Sequence, residues 1–329
     1  MPISSLMGTY RLILAIFVLL SHQGVSIFGL NPGITAVISF LLLSGFVMTA
    51  LIQKNYFAAG RILPFYLDRA MRLLPQYLAY LAATLVLILA ARPVSSFVQG
   101  FDFSLSKILL NVLILPLGLY MYGMENTMLI PQAWSLGLET MFYLAIPLLL
   151  VWRLRIAAFA LSALVFMMAY MGLINTDVWG YRLLPGTLFI FLTGSFIYDR
   201  KIKHRRLALA VIWACAAIGL AAVKQQPSLQ LPNNAEVLAG LVIGIPAVCL
   251  LRNLPNSRLD TLLGNISYGV FLNHFFLMWL FEALSFPATS PKRIVVLVLC
   301  SVVLSSITFN AIEAPAIRFR HLLRYRKST

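Results

Sequence analysis

Acidic side chains are scarce in this chain: ten Asp and Glu stand against 25 Lys and Arg, and charged residues of both signs make up only 11% of the sequence. Soluble domains average about a quarter charged residues, so a water-facing surface along the whole chain is excluded. Cysteine is nearly absent as well. Cys215, Cys249 and Cys300 fall inside apolar runs without paired spacing, which argues against a disulfide framework and against a zinc site. No metal is expected, and the three are read as packing residues. The first apolar run lacks an A-x-A-like cleavage site and leads directly into a second, so it reads as a retained span and not a cleaved leader. Internal repeats, low-complexity tracts and interdomain linkers are also missing. Residues 1–329 therefore read as a single transmembrane domain with no fused soluble domain.

What the chain has is apolar surface. Hydrophobic residues reach 61% and the mean hydropathy is +0.90. A bilayer core about 30 Å thick takes about 20 apolar residues per helical span, so this length allows ten or so spans and little else. Membrane strands would need short alternating segments, whereas the runs here are long and continuous, as from Leu78 to Ala91 and from Ile294 to Ile307. The expected fold is an all-α polytopic membrane protein. The basic residues sit in short clusters between apolar runs and form no single basic face, so nucleic acid is not an expected partner; the lipid bilayer is.

Eleven apolar runs fall near residues 9 to 29, 33 to 53, 73 to 91, 108 to 123, 134 to 152, 156 to 174, 183 to 198, 207 to 223, 235 to 251, 262 to 284 and 294 to 312. The positive-inside rule makes the cluster Arg200, Lys201, Lys203, Arg205 and Arg206 cytoplasmic, and alternation then puts the C-terminus inside. Counting back from that cluster, and forward from an inside N-terminus, places both ends of the 108 to 123 run outside. This run is short and carries Pro116 and Gly118, as a re-entrant or interfacial segment would. The expectation is about ten transmembrane helices plus one re-entrant or interfacial segment, with both termini cytoplasmic. It leaves 19 of the 25 basic residues inside and six outside.

Against this apolar background a few polar residues stand out. His22 lies deep in the first run, where an ionisable side chain is costly and marks a functional site by default. Arg11 precedes it by eleven residues, which brings both onto one helical stripe about 16 Å apart along the axis. Arg69 and Arg72, at i and i+3, follow Pro64 and share one helix edge, a pairing suited to phosphates as well as to plain interfacial snorkelling. Trp134, Ser135, Glu139 and Tyr143 open the fifth run, the last three on an i, i+4, i+8 row. A belt tryptophan and a capping serine need no function, but a carboxylate one turn inside the boundary suits orienting a histidine or holding acceptor hydroxyls. Ser267 and His274 share a face of a later span, with Tyr268 on the same turn. Glu313 is read as a structural partner of Arg318 or Arg320.

Six segments in order carry a resemblance: YRLILAIFVLLSH with Arg11 and His22, FLLLSGFVM, FYLDRAMRLLPQY with Arg69 and Arg72, AWSLGLETMFYLAIP, ISYGVFLNH and IEAPAIR. Together they resemble the acyltransferase 3 family of integral membrane acyltransferases. The chain departs from the family's common pattern at Gly137, Thr140 and Phe271. The resemblance implies ten membrane helices and transfer of an acyl group, commonly acetyl from cytoplasmic acetyl-CoA, to a hydroxyl of an extracytoplasmic cell-surface glycan such as O-antigen or another polysaccharide, or a lipid-linked sugar. It implies His22 as the catalytic histidine and Arg69 and Arg72 as phosphate holders, and it puts Glu139 in the family's W-S-L-x-x-E block.

On that reading His22 and Glu139 are the candidate catalytic residues. Arg11, Arg69 and Arg72 are candidates for the coenzyme, and Trp134, Ser135, Tyr143, Ser267, Tyr268 and His274 for the acceptor. The expected location is the inner membrane, with a separate periplasmic or membrane partner in place of a fused acceptor-handling domain. The competing class is a transporter or flippase, with His22 and Glu139 as a proton relay and the arginines binding an anionic lipid. Paired interrupted segments in corresponding halves, which inverted-repeat transporters tend to show, are missing from the sequence.

Overall fold

In the computed structural model, which describes residues 7–91, 103–124, 127–255, 257–286 and 291–318, every regular element is a helix. Eleven α-helices follow in chain order: α1 Met7–Ser21, α2 Pro32–Asn55, α3 Ile62–Ala91, α4 Leu105–Val112, α5 Trp134–Val151, α6 Arg155–Tyr170, α7 Leu184–Tyr198, α8 Arg205–Gln225, α9 Asn234–Leu251, α10 Arg258–Ala283 and α11 Pro291–Thr308. Seven helical segments among the described residues are long and apolar enough to cross a membrane. Two more apolar helices, α1 and α6, are shorter. The charge expectations for Arg92 and for the residues after Arg318 lie outside the described residues.

The run at 108 to 123 is not one helix. The eight-residue α4, about 12 Å long by helix geometry, gives way at Ile114, whose φ is +58°, to a 3-10 turn at Leu115–Leu119 that starts around Pro116. Neither piece has the length of a span.

At the centre lies α2, wrapped by α1, α7 and α9. Its start is fixed by sequence: the Asn31 side chain accepts hydrogen bonds from the backbone N–H groups of Gly33 (2.9 Å) and Ile34, while Pro32 presets the first helical residue. Its crossing with α7 depends on two glycines. A Cβ at Gly45 would overlap the carbonyl oxygen of Phe191, and one at Gly194 would overlap that of Leu42. Small residues let helix backbones touch where no water drives them together, which is how apolar helices associate in lipid. By contrast, only 17% of the apolar stretch of α8, and the same share of α11, is buried within the protein. Those two helices offer their apolar flanks outward, as lipid-facing elements do.

Asp260 fastens α1 to α10. It lies in the first turn of α10, below the Ser257 cap, and its carboxylate accepts from the backbone N–H of Gly8 (3.1 Å) and of Thr9 (2.7 Å) and from the Thr9 hydroxyl (2.8 Å). An anion at the N-terminal turn of α1 satisfies donors that have no intrahelical partner and favours the helix dipole. Gly8 and Gly264 meet along the same seam. Arg11 follows one turn further along α1.

Candidate active site

Two cavities adjoin inside the bundle and share Val37, Ser135 and Phe271 as walls. The larger, about 280 Å³, is lined by Arg11, Arg69 and Arg72, and by Ser135, Glu139, Tyr143, Ser267 and Tyr268. The smaller, about 140 Å³, is lined by His22, Trp134 and Ser135 together with Asn31, Gln132 and Arg182. Four helices, α1 with the turn after it, α3, α5 and α10, thus bring ten of the eleven expected site residues to one region. The eleventh, His274, is fully buried and lines neither cavity, but its ring stacks on His22, with centroids 5.3 Å apart and planes at 17°.

The arrangement corrects the expected geometry in three places. First, α1 ends at Ser21, so His22 stands in the turn beyond the helix and not in its middle. The turn through Gln23 to Gly24, where φ is +76°, diverts the chain before the apolar run is exhausted. His22 keeps an exposed edge and packs on Phe275 (4.7 Å) as well as on His274.

Second, Glu139 does not orient His22. Its Oε1 accepts from the hydroxyl of Ser44 and from that of Tyr143, each at 2.6 Å, and the carboxylate belongs to the arginine-lined cavity. The i, i+4 spacing that aligned Glu139 with Tyr143 also satisfies Glu139 from its own helix.

Third, Glu313 pairs with Arg72, while Arg320, one of its two expected partners, lies outside the described residues. A π-helical turn at Phe309–Glu313 interrupts the last helix and turns this carboxylate, 2% exposed, toward α3. The Arg72 guanidinium also lies 5.5 Å from the Tyr268 ring. Arg69 is held by its neighbour Asp68, with Nε at 3.1 Å and a terminal nitrogen at 2.5 Å from Oδ2. The arginine edge therefore already has carboxylate company, and an anionic ligand would use donor positions that those carboxylates leave open.

The boundary between the cavities is built by backbone docking. Pro131–Ala133 forms a 3-10 turn ahead of α5, and the Gln132 amide donates to the carbonyls of Phe271 (3.0 Å) and Leu272 (2.8 Å) on α10. This ties the start of α5, which carries Ser135, to the turn of α10 that carries Phe271, two of the residues lining both cavities. Tyr268, one turn away, donates from its hydroxyl to the carbonyl of Leu73 at 3.1 Å and ties α10 to α3.

A family model described as an acyltransferase domain matches residues 9–310, nearly the whole chain. The chain belongs to the acyltransferase 3 family. It is also similar to an uncharacterized protein of Aquifex aeolicus (strain VF5), 30% identical over 200 residues, which cover 59% of this chain and 90% of that protein. No solved structure matches. As an acyltransferase 3 member with several membrane-length helices, this is a multi-pass membrane acyltransferase. The sequence reading missed Ser44, Gln132, Tyr181 and Arg182 at the site. Two of them left a trace in the chain: Ser44 lies within the quoted FLLLSGFVM segment, and Arg182 is one of the six basic residues that charge counting puts outside.

Proposed function

We propose that this acyltransferase moves an acyl group, acetyl as the simplest case, from a cytoplasmic acyl-coenzyme A to a hydroxyl of a glycan or lipid-linked sugar on the outer side of the inner membrane. The observation that carries the reading is the pair of adjoining cavities, with three arginines around one and His22 at the other. A volume of about 280 Å³ lies at the low end for small-molecule pockets. It suits the acylated arm of the coenzyme, with the nucleotide outside and its phosphates meeting Arg69 and Arg72.

In this mechanism the thioester passes the wall formed by Val37, Ser135 and Phe271 and meets His22. The imidazole takes the proton of an acceptor hydroxyl, whose oxygen attacks the thioester carbonyl carbon. As the intermediate collapses, the carbon–sulfur bond breaks, the new ester forms, and the thiolate leaves with the proton returned by His22. Stacking on buried His274 and Phe275 sets the plane of the ring, a positioning that an unsupported surface histidine would lack.

The test is acyl transfer itself. Purified protein given radiolabelled acetyl-CoA and a mixture of cell-surface glycans is expected to place label on glycan. Label that stays in acetyl-CoA, with neither transfer nor hydrolysis above a protein-free control, would contradict the reading.

A further inference from the structure

The smaller cavity contains a cation that the mechanism does not use. Arg182 closes a five-residue π-helical turn, Val178–Arg182, just ahead of α7. Its Nε donates to Asp177 Oδ2 at 2.9 Å, while Asp177 Oδ1 accepts from the amide of Asn233 at 2.6 Å. The guanidinium carbon lies 4.8 Å from the ring centroid of Trp134, 5.1 Å from that of Tyr181 and 5.5 Å from that of Tyr120. Its side chain is 20% exposed. Three rings and one carboxylate thus fix the plane of the fork. Its two terminal amino groups make no hydrogen bond to any described residue, although Arg182 lines the same cavity as His22.

A planar, positioned guanidinium with unused donors is complementary to an oxyanion, and packing among rings strengthens such a bond by excluding water. Trp134, in the same wall, adds a flat face of the kind on which the C–H side of a sugar ring can rest. We propose that the smaller cavity is an acceptor subsite selecting saccharides that carry an oxyanion, a carboxylate or a phosphate, which Arg182 holds while a neighbouring hydroxyl faces His22. This deepens the acyl-transfer reading and rests on it. Arg182 is then a specificity-determining residue, and Asp177 positions it.

Binding is measured by calorimetry on the purified full-length protein with three probes: methyl glucuronide, glucose 1-phosphate and neutral methyl glucoside. No acyl donor is present, so the outcome is independent of whether transfer occurs, and failure of the acyl-transfer reading is seen separately in the labelling assay. At least one anionic probe is expected to bind tenfold or more tightly than the glucoside. The tighter of the two anionic probes identifies carboxylate or phosphate as the group recognised. Arg182→Gln is expected to bring the anionic-to-neutral ratio to near one, and Arg182→Lys, which keeps the charge but not the fork, to lower it in part. A ratio near one in the unaltered protein, whether all probes bind or none does, overturns the proposal. So does an unchanged ratio in the glutamine variant, or in the lysine variant should only that one fold.

Discussion

At the residue scale, the proposed mechanism separates holding from reacting. Arg11, Arg69 and Arg72 gather around one cavity and His22 stands at the next, with Phe271 and Ser135 between them. Arg69 and Arg72 lie within a turn of each other on α3, but each leans on a different carboxylate: Asp68 from the same helix, Glu313 from the far end of the chain. If their open donors take coenzyme phosphates, loss of either guanidinium removes a charge-assisted contact worth about 1.5 to 3 kcal/mol. Arg69→Ala and Arg72→Ala are therefore each expected to weaken coenzyme A binding about ten- to a hundredfold, and lysine is expected to restore only part of it because it lacks the planar fork. Calorimetry with coenzyme A checks this. Unchanged affinity in both alanine variants would make the two arginines structural partners of Asp68 and Glu313 alone.

At the element scale, α2 supplies Val37 to both cavities and Ser44 to the larger, and the turn before α7 supplies Arg182 to the smaller, so the crossing of α2 and α7 relates the two walls. Gly45→Ala and Gly194→Ala are each expected to destabilise the protein by about 1 to 3 kcal/mol, because an added methyl meets backbone and not a movable side chain. Thermal unfolding in detergent measures it; unchanged midpoints for both variants would mean that the helices separate without cost.

Much of this element level was legible in the sequence. Long apolar runs marked where helices lie, and Pro116 with Gly118 marked where the fourth run breaks. The places where the reading failed have a common cause. Periodicity follows a side chain around a regular helix, so it carried the first helix past His22, and it does not say which groups on other helices a carboxylate such as Glu139 meets. Helix α1 instead stops at Ser21, and the π turns at Val178–Arg182 and Phe309–Glu313 rotate the residues after them. Those irregular turns deliver Arg182 and Glu313 to the site, and they depend on tertiary packing that one-dimensional spacing does not contain. The composition of the site fared better than its pairing: Arg11, Arg69, Arg72, Ser135, Glu139, Tyr143, Ser267 and Tyr268 do converge on one cavity.

For the whole molecule, the direction of transfer depends on which cavity faces which side. Charge counting puts the loop near Tyr122 and the loop near Ser228 outside, and Lys203 within the cytoplasmic cluster. All three positions are exposed. In a background lacking Cys215, Cys249 and Cys300, cysteines at Tyr122 and Ser228 are expected to react with a membrane-impermeant thiol reagent on intact cells. A cysteine at Lys203 is expected to react only after lysis. The reverse pattern would invert the molecule and put the arginine cavity on the outer side.

In the proposed mechanism His22 is the base that meets an acyl donor from one side and an acceptor from the other. The most direct measurement uses proteoliposomes holding labelled acetyl-CoA inside and glycan acceptor outside, with the protein, His22→Ala and His22→Gln compared in the fraction oriented so that the Lys203 loop faces the lumen. The unaltered protein is expected to label the outer glycan. Both variants are expected to bind acetyl-CoA with near-normal affinity and to unfold at a similar temperature, yet to transfer nothing measurable, because glutamine keeps a hydrogen bond but takes no proton at neutral pH. Near-normal transfer by His22→Gln would contradict the claim and remove His22 from the chemistry.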